Sequence, residues 1–303
     1  MKTTGRYRYV LLATVSATAL LVSVERGPNA QEAMTDGAHW WLSVEGQYMM
    51  FGGDAPSAYG LNVDPEQGWG GAVEFGIQQY GSPWSAVARV RYGRSDTEQD
   101  SRTTYSGFYG SYVNTDTAQY RESHTIADLE IGRDVGLGSM GGGNATARIH
   151  GGVRFAHFDG DLSGTYSSFY GSGGIRSEHT FTGIGPRVGI DANLPLAQNV
   201  SADLRASGAV LFGTRKVEGN YSGFYASGPF SRRENSVVVP NVEASAAVTY
   251  LFGDNAKLAV GYRVDHYWNV FDTNPFSGGS SRDGDRTIHG PFFRVTIGGS
   301  GPN

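Results

Sequence analysis

The alternation of apolar and polar side chains is the feature that most constrains this chain. From Trp40 onward, about ten segments of roughly a dozen residues carry an apolar side chain at every second position. Successive side chains of a strand point to opposite faces, so each segment predicts a strand with one apolar face. The other face carries Arg, Asp and Glu at its middle. A soluble sandwich would bury the apolar face, whereas a membrane barrel turns it to lipid and turns the polar face to a lumen.

The order of short and long connections is typical of outer-membrane barrels. The predicted strands are Trp41–Phe51, Trp69–Tyr80, Trp84–Arg94, Thr125–Val135, Ala145–Phe158, Thr180–Ala192, Val200–Phe212, Val237–Phe252, Lys257–Trp268 and Thr287–Gly298. Their connections alternate between short ones, such as Tyr80–Trp84, and long ones, such as Ser95–Ser123. Short periplasmic turns, long outer loops and an even strand number are expected of single-chain bacterial barrels. We therefore predict an all-β fold, a transmembrane antiparallel up-and-down β-barrel of about ten strands, in the outer membrane of a Gram-negative-type envelope with surface-exposed loops.

Aromatic side chains gather near the ends of the predicted strands, which predicts two interfacial girdles. The girdle on the short-turn side would contain Trp40, Trp41, Tyr80, Trp84, Tyr250 and Phe252. The girdle on the long-loop side would contain Phe51, Trp69, Phe212, Tyr267 and Trp268.

The N-terminal segment predicts a signal peptide. Lys2, Arg6 and Arg8 form a basic region, and Val10–Val24 is an uncharged apolar run that is short for a membrane helix. We expect residues 1–30 to be cleaved and residues 31–303 to form the barrel domain. A short N-terminal membrane anchor is the alternative.

Composition excludes several kinds of site. The absence of cysteine excludes disulfides, thiolate metal sites and thiol nucleophiles. The net charge of −5 gives no reason to expect a nucleic-acid partner. The negative mean hydropathy suggests a soluble protein, but lipid-facing and lumen-facing residues cancel in such an average for a barrel. We expect no cofactor, outer-membrane lipid as the surroundings, small solutes or ions as candidate ligands, and a monomer by default.

Charged residues on the polar face are the candidate functional groups of the lumen. They are Glu45, Glu74, Arg89, Arg91, Asp128, Glu130, Arg148, Arg154, Arg187, Asp191, Asp203, Arg205, Glu243, Arg263, Asp265 and Arg294, in which the two signs are equal in number. A barrel of about ten strands is narrow, so inward-pointing arginines should meet carboxylates, for example Arg205 with Asp203. Paired charges cost less in a confined space than unpaired ones, so these residues should form ion pairs that stiffen the barrel.

Two functions fit this pattern, and neither needs an enzyme. The first is a narrow, weakly selective, porin-like pore for ions or small solutes, since near neutrality argues against strong ion selectivity. The second is a structural or adhesive surface barrel whose lumen is closed by salt bridges.

One aromatic phrase occurs in three long loops. It reads YSGFYGS from Tyr105, YSSFYGSG from Tyr166 and YSGFYASG from Tyr221. Its aromatic residues are Tyr105, Phe108, Tyr109, Tyr166, Phe169, Tyr170, Tyr221, Phe224 and Tyr225. The phrase is explained by duplication of a hairpin unit, by a binding surface, since aromatics are enriched at contacts, or by packing that stiffens the outer rim.

Catalytic and metal sites are weakly supported. Asp265 and His266 are adjacent in one strand and should point to opposite faces, so they cannot readily share a site. His157, Asp159 and Asp161 cluster near another strand end, but the histidines lack metal-ligand spacing. We predict no catalytic residue and no metal site.

Two segments resemble the Legionella-type major outer membrane protein family. They are FTGIGPRVGIDANLPL at Phe181–Leu196 and ASGAVLFG at Ala206–Gly213, with weaker similarity at GWGGAVEFG (Gly68–Gly76) and DLEIG (Asp128–Gly132). The resemblance implies a pore-forming outer-membrane β-barrel with a pore or surface role. It implies no catalytic residue and no particular substrate.

Overall fold

A closed ring of ten antiparallel strands forms the structure, a computed structural model that describes residues 38–54, 57–106, 112–140, 143–223, 226–252, 255–272 and 283–299. The segment predicted as a signal peptide lies outside these residues. The strands are β1 (Ala38–Gly53), β2 (Ser57–Ala58), β3 (Leu61–Asn62), β4 (Gln67–Gln79), β5 (Trp84–Ser95), β6 (Glu98–Ser106), β7 (Tyr112–Met140), β8 (Gly143–Ser168), β9 (Gly171–Ala197), β10 (Val200–Ser222), β11 (Ser227–Phe252), β12 (Ala256–Asp272) and β13 (Asp283–Gly299).

Pairing between β5 and β7 closes the ring. The other ring neighbours follow the order β5-β4-β1-β13-β12-β11-β10-β9-β8-β7, so the first and last strands of the chain are also paired. The closing pair runs from Trp84 opposite Arg133 to Arg94 opposite Ser123. A closed ring leaves no unpaired strand edge in the bilayer, where unsatisfied backbone groups are costly. The prediction of an all-β barrel of about ten strands is confirmed.

Five ring strands continue well beyond their predicted outer ends. For example, Asp116 of β7 pairs with Tyr166 of β8, and Glu218 of β10 pairs with Glu178 of β9, in segments predicted as loops. With β6, the outer parts of β7 to β11 form a six-stranded sheet, which we call the outer wall. Its outward face carries residues such as Thr117, so it lacks the apolar alternation that identified the membrane strands.

Burial alternates along the ring strands in the way that the sequence pattern predicts. On β4, Val73 and Phe75 are about half exposed whereas Glu74 is 6% exposed. Exposed apolar side chains form a continuous outward band on the ring strands, which is the surface that lipid covers. The described part of the chain contains no helix long and apolar enough to cross a membrane.

The prediction of which aromatic residues form the two girdles is correct only in part. Trp69 and Phe212 on the long-loop side are exposed and outward, as are Trp40, Trp84, Tyr250 and Phe252 on the short-turn side, whereas Tyr80 is exposed in the turn after β4, with its ring centroid 5.8 Å from that of His39. Phe51 and Tyr267 are buried inside the ring instead. Trp41 also faces inward, where its Nε1 donates to Glu74 at 3.1 Å. Strand parity places these three side chains on the inner face, and the tendency of aromatics to gather at interfaces does not override it.

An apolar layer fills the outer half of the ring. It consists of Met49, Phe51, Ile126, Ala156, Phe158, Phe181, Ala209, Leu211, Val239, Tyr267, Val270, Phe271 and Ile288, which come from eight of the ten ring strands. Glycines of the other two strands make room for Met49. An ideal Cβ at Gly93 would lie 2.7 Å from the Met49 sulfur, and one at Gly70 would lie 3.0 Å from it.

The first outer loop folds back onto the inner face of the outer wall. Its β2–β3 hairpin buries Ala58 and Leu61 against Tyr120 and Leu162. Burial raises the pKa of Tyr59, and the nearby Tyr166 and Asp116 raise it further. The ring centroids of Tyr59 and Tyr166 lie 5.4 Å apart. Tyr59 therefore stays neutral, and the loop is packed against the wall by apolar contact.

Arginine on the lipid-facing band should impair membrane insertion. Val188→Arg and Val260→Arg each replace an outward, more than half-exposed valine, and each should cost about 2–4 kcal/mol near the bilayer midplane. Gln78→Arg is the control, since Gln78 lines an inner cavity and donates to Asp134. Folding into lipid vesicles, followed by the shift between unheated and heated gel mobility, measures the effect. Equal insertion of all three variants would show that the faces are assigned wrongly.

Candidate functional site

The barrel interior is the candidate site, and it contains three zones. At the short-turn end, which is periplasmic in barrels of this type, lies a cavity of about 660 Å³ that we call the periplasmic vestibule. Above it lies a layer of buried charges. The apolar layer follows toward the cell surface. On β8, for example, Arg154 belongs to the charges, and Phe158, two inward positions further out, belongs to the apolar layer.

All sixteen charges singled out in the sequence point into the ring. Four of them, Arg148, Asp191, Asp203 and Arg205, are partly exposed and line the periplasmic vestibule. The other twelve, which we call the charged layer, are almost fully buried: Glu45, Glu74, Arg89, Arg91, Asp128, Glu130, Arg154, Arg187, Glu243, Arg263, Asp265 and Arg294. The alternation of each strand places them there, because their neighbours in sequence are the lipid-facing residues.

Glu243 of β11 is the centre of the charged layer. It accepts hydrogen bonds from Arg154 Nη2 at 2.6 Å, Arg91 Nη2 at 3.0 Å and Arg187 Nη2 at 3.4 Å. Two further guanidinium groups lie within 3.7 Å of it, those of Arg89 and Arg263. These five arginines come from β5, β8, β9 and β12, so the ion pairs around one carboxylate cross the whole lumen.

The other buried carboxylates also contact arginines. Arg154 donates twice to Asp128, at 2.7 and 2.8 Å. Arg263 donates twice to Glu45, at 2.5 and 2.9 Å, and Arg294 Nε donates to the same carboxylate at 3.0 Å. Further pairs join Asp265 to Arg91, Glu130 to Arg187 and Arg148, and Glu74 to Arg89 and Arg205. Bidentate geometry of this kind offsets much of the cost of burying the charges.

The expected pair of Asp203 with Arg205 does not form. Asp203 accepts from Asn193 Nδ2 and from Thr249 Oγ1, both at 2.6 Å, whereas Arg205 Nη1 contacts Glu74 at 2.9 Å. Residues i and i+2 share a strand face but lie about 6.6 Å apart along the strand, so each side chain finds a partner on a neighbouring or opposite strand.

Several interior residues were missed in the sequence. Fully buried Arg286 contacts Asp64 and Glu122 at 2.8 Å at the cell-surface end of the lumen, which we call the outer mouth. Arg215 contacts Asp283 at 2.8 Å. Each lies just beyond the end of a predicted strand, so continuing the alternation would have placed both on the inner face. His150 falls on the polar face by alternation but was not counted among the charges, and its Nδ1 lies 3.2 Å from Glu130.

The acid and histidine groups considered for catalysis are separated or outward. Asp265 is buried beside Arg91, whereas His266 Nδ1 faces outward and lies 2.8 Å from Thr287 Oγ1. His157 and Asp159 pair at 2.9 Å on the outward surface, and Asp161 pairs there with Arg121 at 2.8 Å. That the chain has no catalytic residue stays a prediction.

The described residues of the aromatic phrases lie near the ends of adjacent hairpins of the outer wall. Tyr105, Phe169 and Tyr170 are about 70% exposed there. Tyr112, which follows the first phrase, lies with its ring centroid 4.6 Å from that of Phe169 in the next hairpin. Tyr221 is partly exposed, and Tyr166 packs on the first loop. Phe108, Tyr109, Phe224 and Tyr225 lie outside the described residues.

Comparison with known proteins gives one family and a set of barrel structures. The family described as "Legionella pneumophila major outer membrane protein precursor" matches residues 31–299. No match is found among curated proteins. Among solved structures, the chain resembles the outer membrane protease OmpT of Escherichia coli, with 13% identity and a TM-score of 0.48, covering 88% of this chain and 97% of that one. A major outer membrane protein of Thermus thermophilus has 11% identity and a TM-score of 0.35, over 86% and 99% of the two chains. Ail of Yersinia pestis has 9% identity and a TM-score of 0.25, over 87% and 99%.

Removal of the central carboxylate should destabilise the barrel strongly. Glu243→Ala leaves several buried guanidinium groups without their shared counter-charge, and breaking a buried pair in this way costs about 3–5 kcal/mol. Urea unfolding in lipid vesicles measures the loss. Glu178→Ala is the control, because Glu178 is exposed on the outer wall. A loss below about 1 kcal/mol for Glu243→Ala, the range of an exposed pair, would contradict a structural role for the charged layer.

Proposed function

We propose that this chain, which belongs to the Legionella pneumophila major outer membrane protein family, serves in the outer membrane as a closed surface barrel. In this proposal the ring is an anchor that conducts little or nothing. The outer wall is the functional part, and its aromatic hairpin tips contact a partner surface.

The packing of the lumen carries the proposal. The charged layer and the apolar layer lie one above the other, and the side chains of both are almost fully buried. Conduction through such a lumen would require breaking several ion pairs and also displacing a packed aromatic cluster, in which the ring centroids of Phe158 and Tyr267 lie 4.8 Å apart. Both costs oppose opening, so the resting barrel favours a structural or display role over diffusion.

The outer wall supports a contact role. It extends the barrel by three neighbouring hairpins, and described residues of the repeated phrase, such as Tyr105, Phe169 and Tyr221, lie near their ends. Large exposed aromatics such as Phe169 and Tyr170 are unfavourable in water, and they are the residue types enriched at the centres of protein contacts.

A narrow pore is the second candidate, and the periplasmic vestibule favours it. This cavity reaches from the periplasmic end to the charged layer, so only the charged and apolar layers separate it from the outer mouth. A pore would need both layers to rearrange.

Conductance measurement separates the two candidates. In planar bilayers at neutral pH, the refolded protein should give no stable unitary steps, because the lumen is filled at two levels. Insertion is checked on the same sample by a change in gel mobility on heating. The matched variant Phe158→Ala with Phe271→Ala thins the apolar layer and tests whether this layer blocks a path. Stable steps from the wild-type protein, enlarged in this variant, would refute the closed barrel and support the pore.

Replacement of the exposed aromatics tests the contact role. Tyr105→Ser, Phe169→Ser and Tyr170→Ser together should leave insertion unchanged and abolish attachment, since aromatic anchors often carry more than about 2 kcal/mol each in a contact. Attachment is measured as aggregation of cells that display the protein and as their adhesion to immobilised host-cell or bacterial surfaces. Thr103→Ala with Thr165→Ala is the control on the same wall. Unchanged attachment of the aromatic variant would contradict the contact role and leave hairpin duplication as the explanation of the phrase.

A further inference from the structure

The periplasmic vestibule is a polar cavity to which the closed-barrel proposal assigns no role. Its volume of about 660 Å³ lies in the range of small-ligand sites, about 300–1,000 Å³. It opens toward the periplasm and ends against the charged layer. Its lining combines charges of both signs with the amides of Gln78 and Asn193 and the indole of Trp41.

Guanidinium groups stand at the inner end of the vestibule. Arg294 is 5% exposed and uses Nε to donate to Glu45, while its guanidinium carbon lies 4.9 Å from the ring centroid of Phe292. Its two Nη atoms form no hydrogen bond with any described residue, and Arg294 lines the cavity. Arg148 and Arg205 line the same end, where each also pairs with a carboxylate of the barrel. A guanidinium fork matches a carboxylate, so this end suits the carboxylate of a ligand.

Carboxylates without a cationic partner stand nearer the mouth. Asp203 accepts only from the neutral groups of Asn193 and Thr249 among the described residues. Asp134 accepts from Gln78 Nε2 at 2.8 Å, and no cation of the described residues pairs with it. Both side chains line the vestibule, and Asp134 lies on the periplasmic side of Asp128 and Glu130 on β7. A carboxylate held only by neutral donors suits the ammonium group of a ligand.

The spacing of the two ends limits the ligand. The Cα atoms of Asp203 and Arg205 lie about 6.6 Å apart along β10, and the arginine side chain carries its guanidinium group onward to Glu74. The ammonium and carboxylate of a single amino acid are closer than this, whereas an extended chain of two residues spans about 7 Å.

We propose that the periplasmic vestibule binds a short peptide with free ends, about two residues long. Its carboxylate lies toward Arg294 and Arg205 and its amino group toward Asp203. The peptide side chains have room beside Trp41. This site does not depend on the outer wall.

Calorimetric titration of the refolded protein in detergent micelles tests the proposal. The probe is dialanine, compared with N-acetyl-dialanine, dialanine amide and acetate. Dialanine should bind saturably, and each capped peptide should bind about tenfold or more weakly, because each lacks one charge-assisted hydrogen bond. Acetate should bind weakest. The proposal would be overturned if dialanine did not saturate the protein, or if the capped peptides bound as tightly as dialanine.

Two variants locate the site. Asp203→Asn keeps an acceptor for Thr249 but removes the negative charge, so it should weaken dialanine binding about tenfold and leave N-acetyl-dialanine unchanged. Asp100→Asn on β6, outside the vestibule, should change neither affinity. An unchanged dialanine affinity in a folded Asp203→Asn variant would refute the placement of the amino group. The comparison of probes on the wild-type protein decides the proposal even where this variant folds poorly.

Discussion

The ion pairs inside the ring are the interaction on which the rest of the structure depends. Alternation along each strand turns a charged residue inward wherever its neighbours face lipid. Ten strands leave little room, so those charges must neutralise each other or destabilise the barrel. Glu243 meets this requirement for arginines of four strands at once, which ties the register of those strands to one position. A slip of one residue in any of them would turn its arginine to lipid and leave the central carboxylate underpaired.

The apolar layer follows from the same parity. The inner face becomes apolar toward the cell surface, where Phe158, Phe181 and Phe271 meet in one cluster. Gly70 and Gly93 leave room for Met49, so the layer packs against all sides of the ring. The interior is therefore divided between charge pairing and apolar packing, and the periplasmic vestibule is the open part that remains below them.

How much the sequence predicts depends on which side chains face lipid. The ten membrane strands and the inward side of residues such as Arg91 and Glu243 follow from alternation, because a lipid-facing residue must be apolar. The outer wall was missed because water faces it on the outside, so residues such as Thr117 and Gln119 need no apolar period. Arg215 and Arg286 were missed for the same reason, since they lie where the lipid-facing signal ends. The partners of Asp203 and Arg205 could not be predicted, because pairing across a lumen depends on side-chain reach between strands distant in sequence.

The continuity of β7 to β11 between the membrane and the outer wall has a mechanical consequence. A force on a hairpin tip runs along strands that enter the bilayer without interruption by a loop, so many backbone hydrogen bonds share the load in shear. The bulge at Ser236, where φ is 67° and the β10–β11 register shifts beside Gly213, lies at the level where the wall leaves the barrel. A bulge bends its strand and increases the local twist, so β11 changes direction where it leaves the membrane. A load on a hairpin tip would thus pass directly into the membrane-embedded part of the same strands.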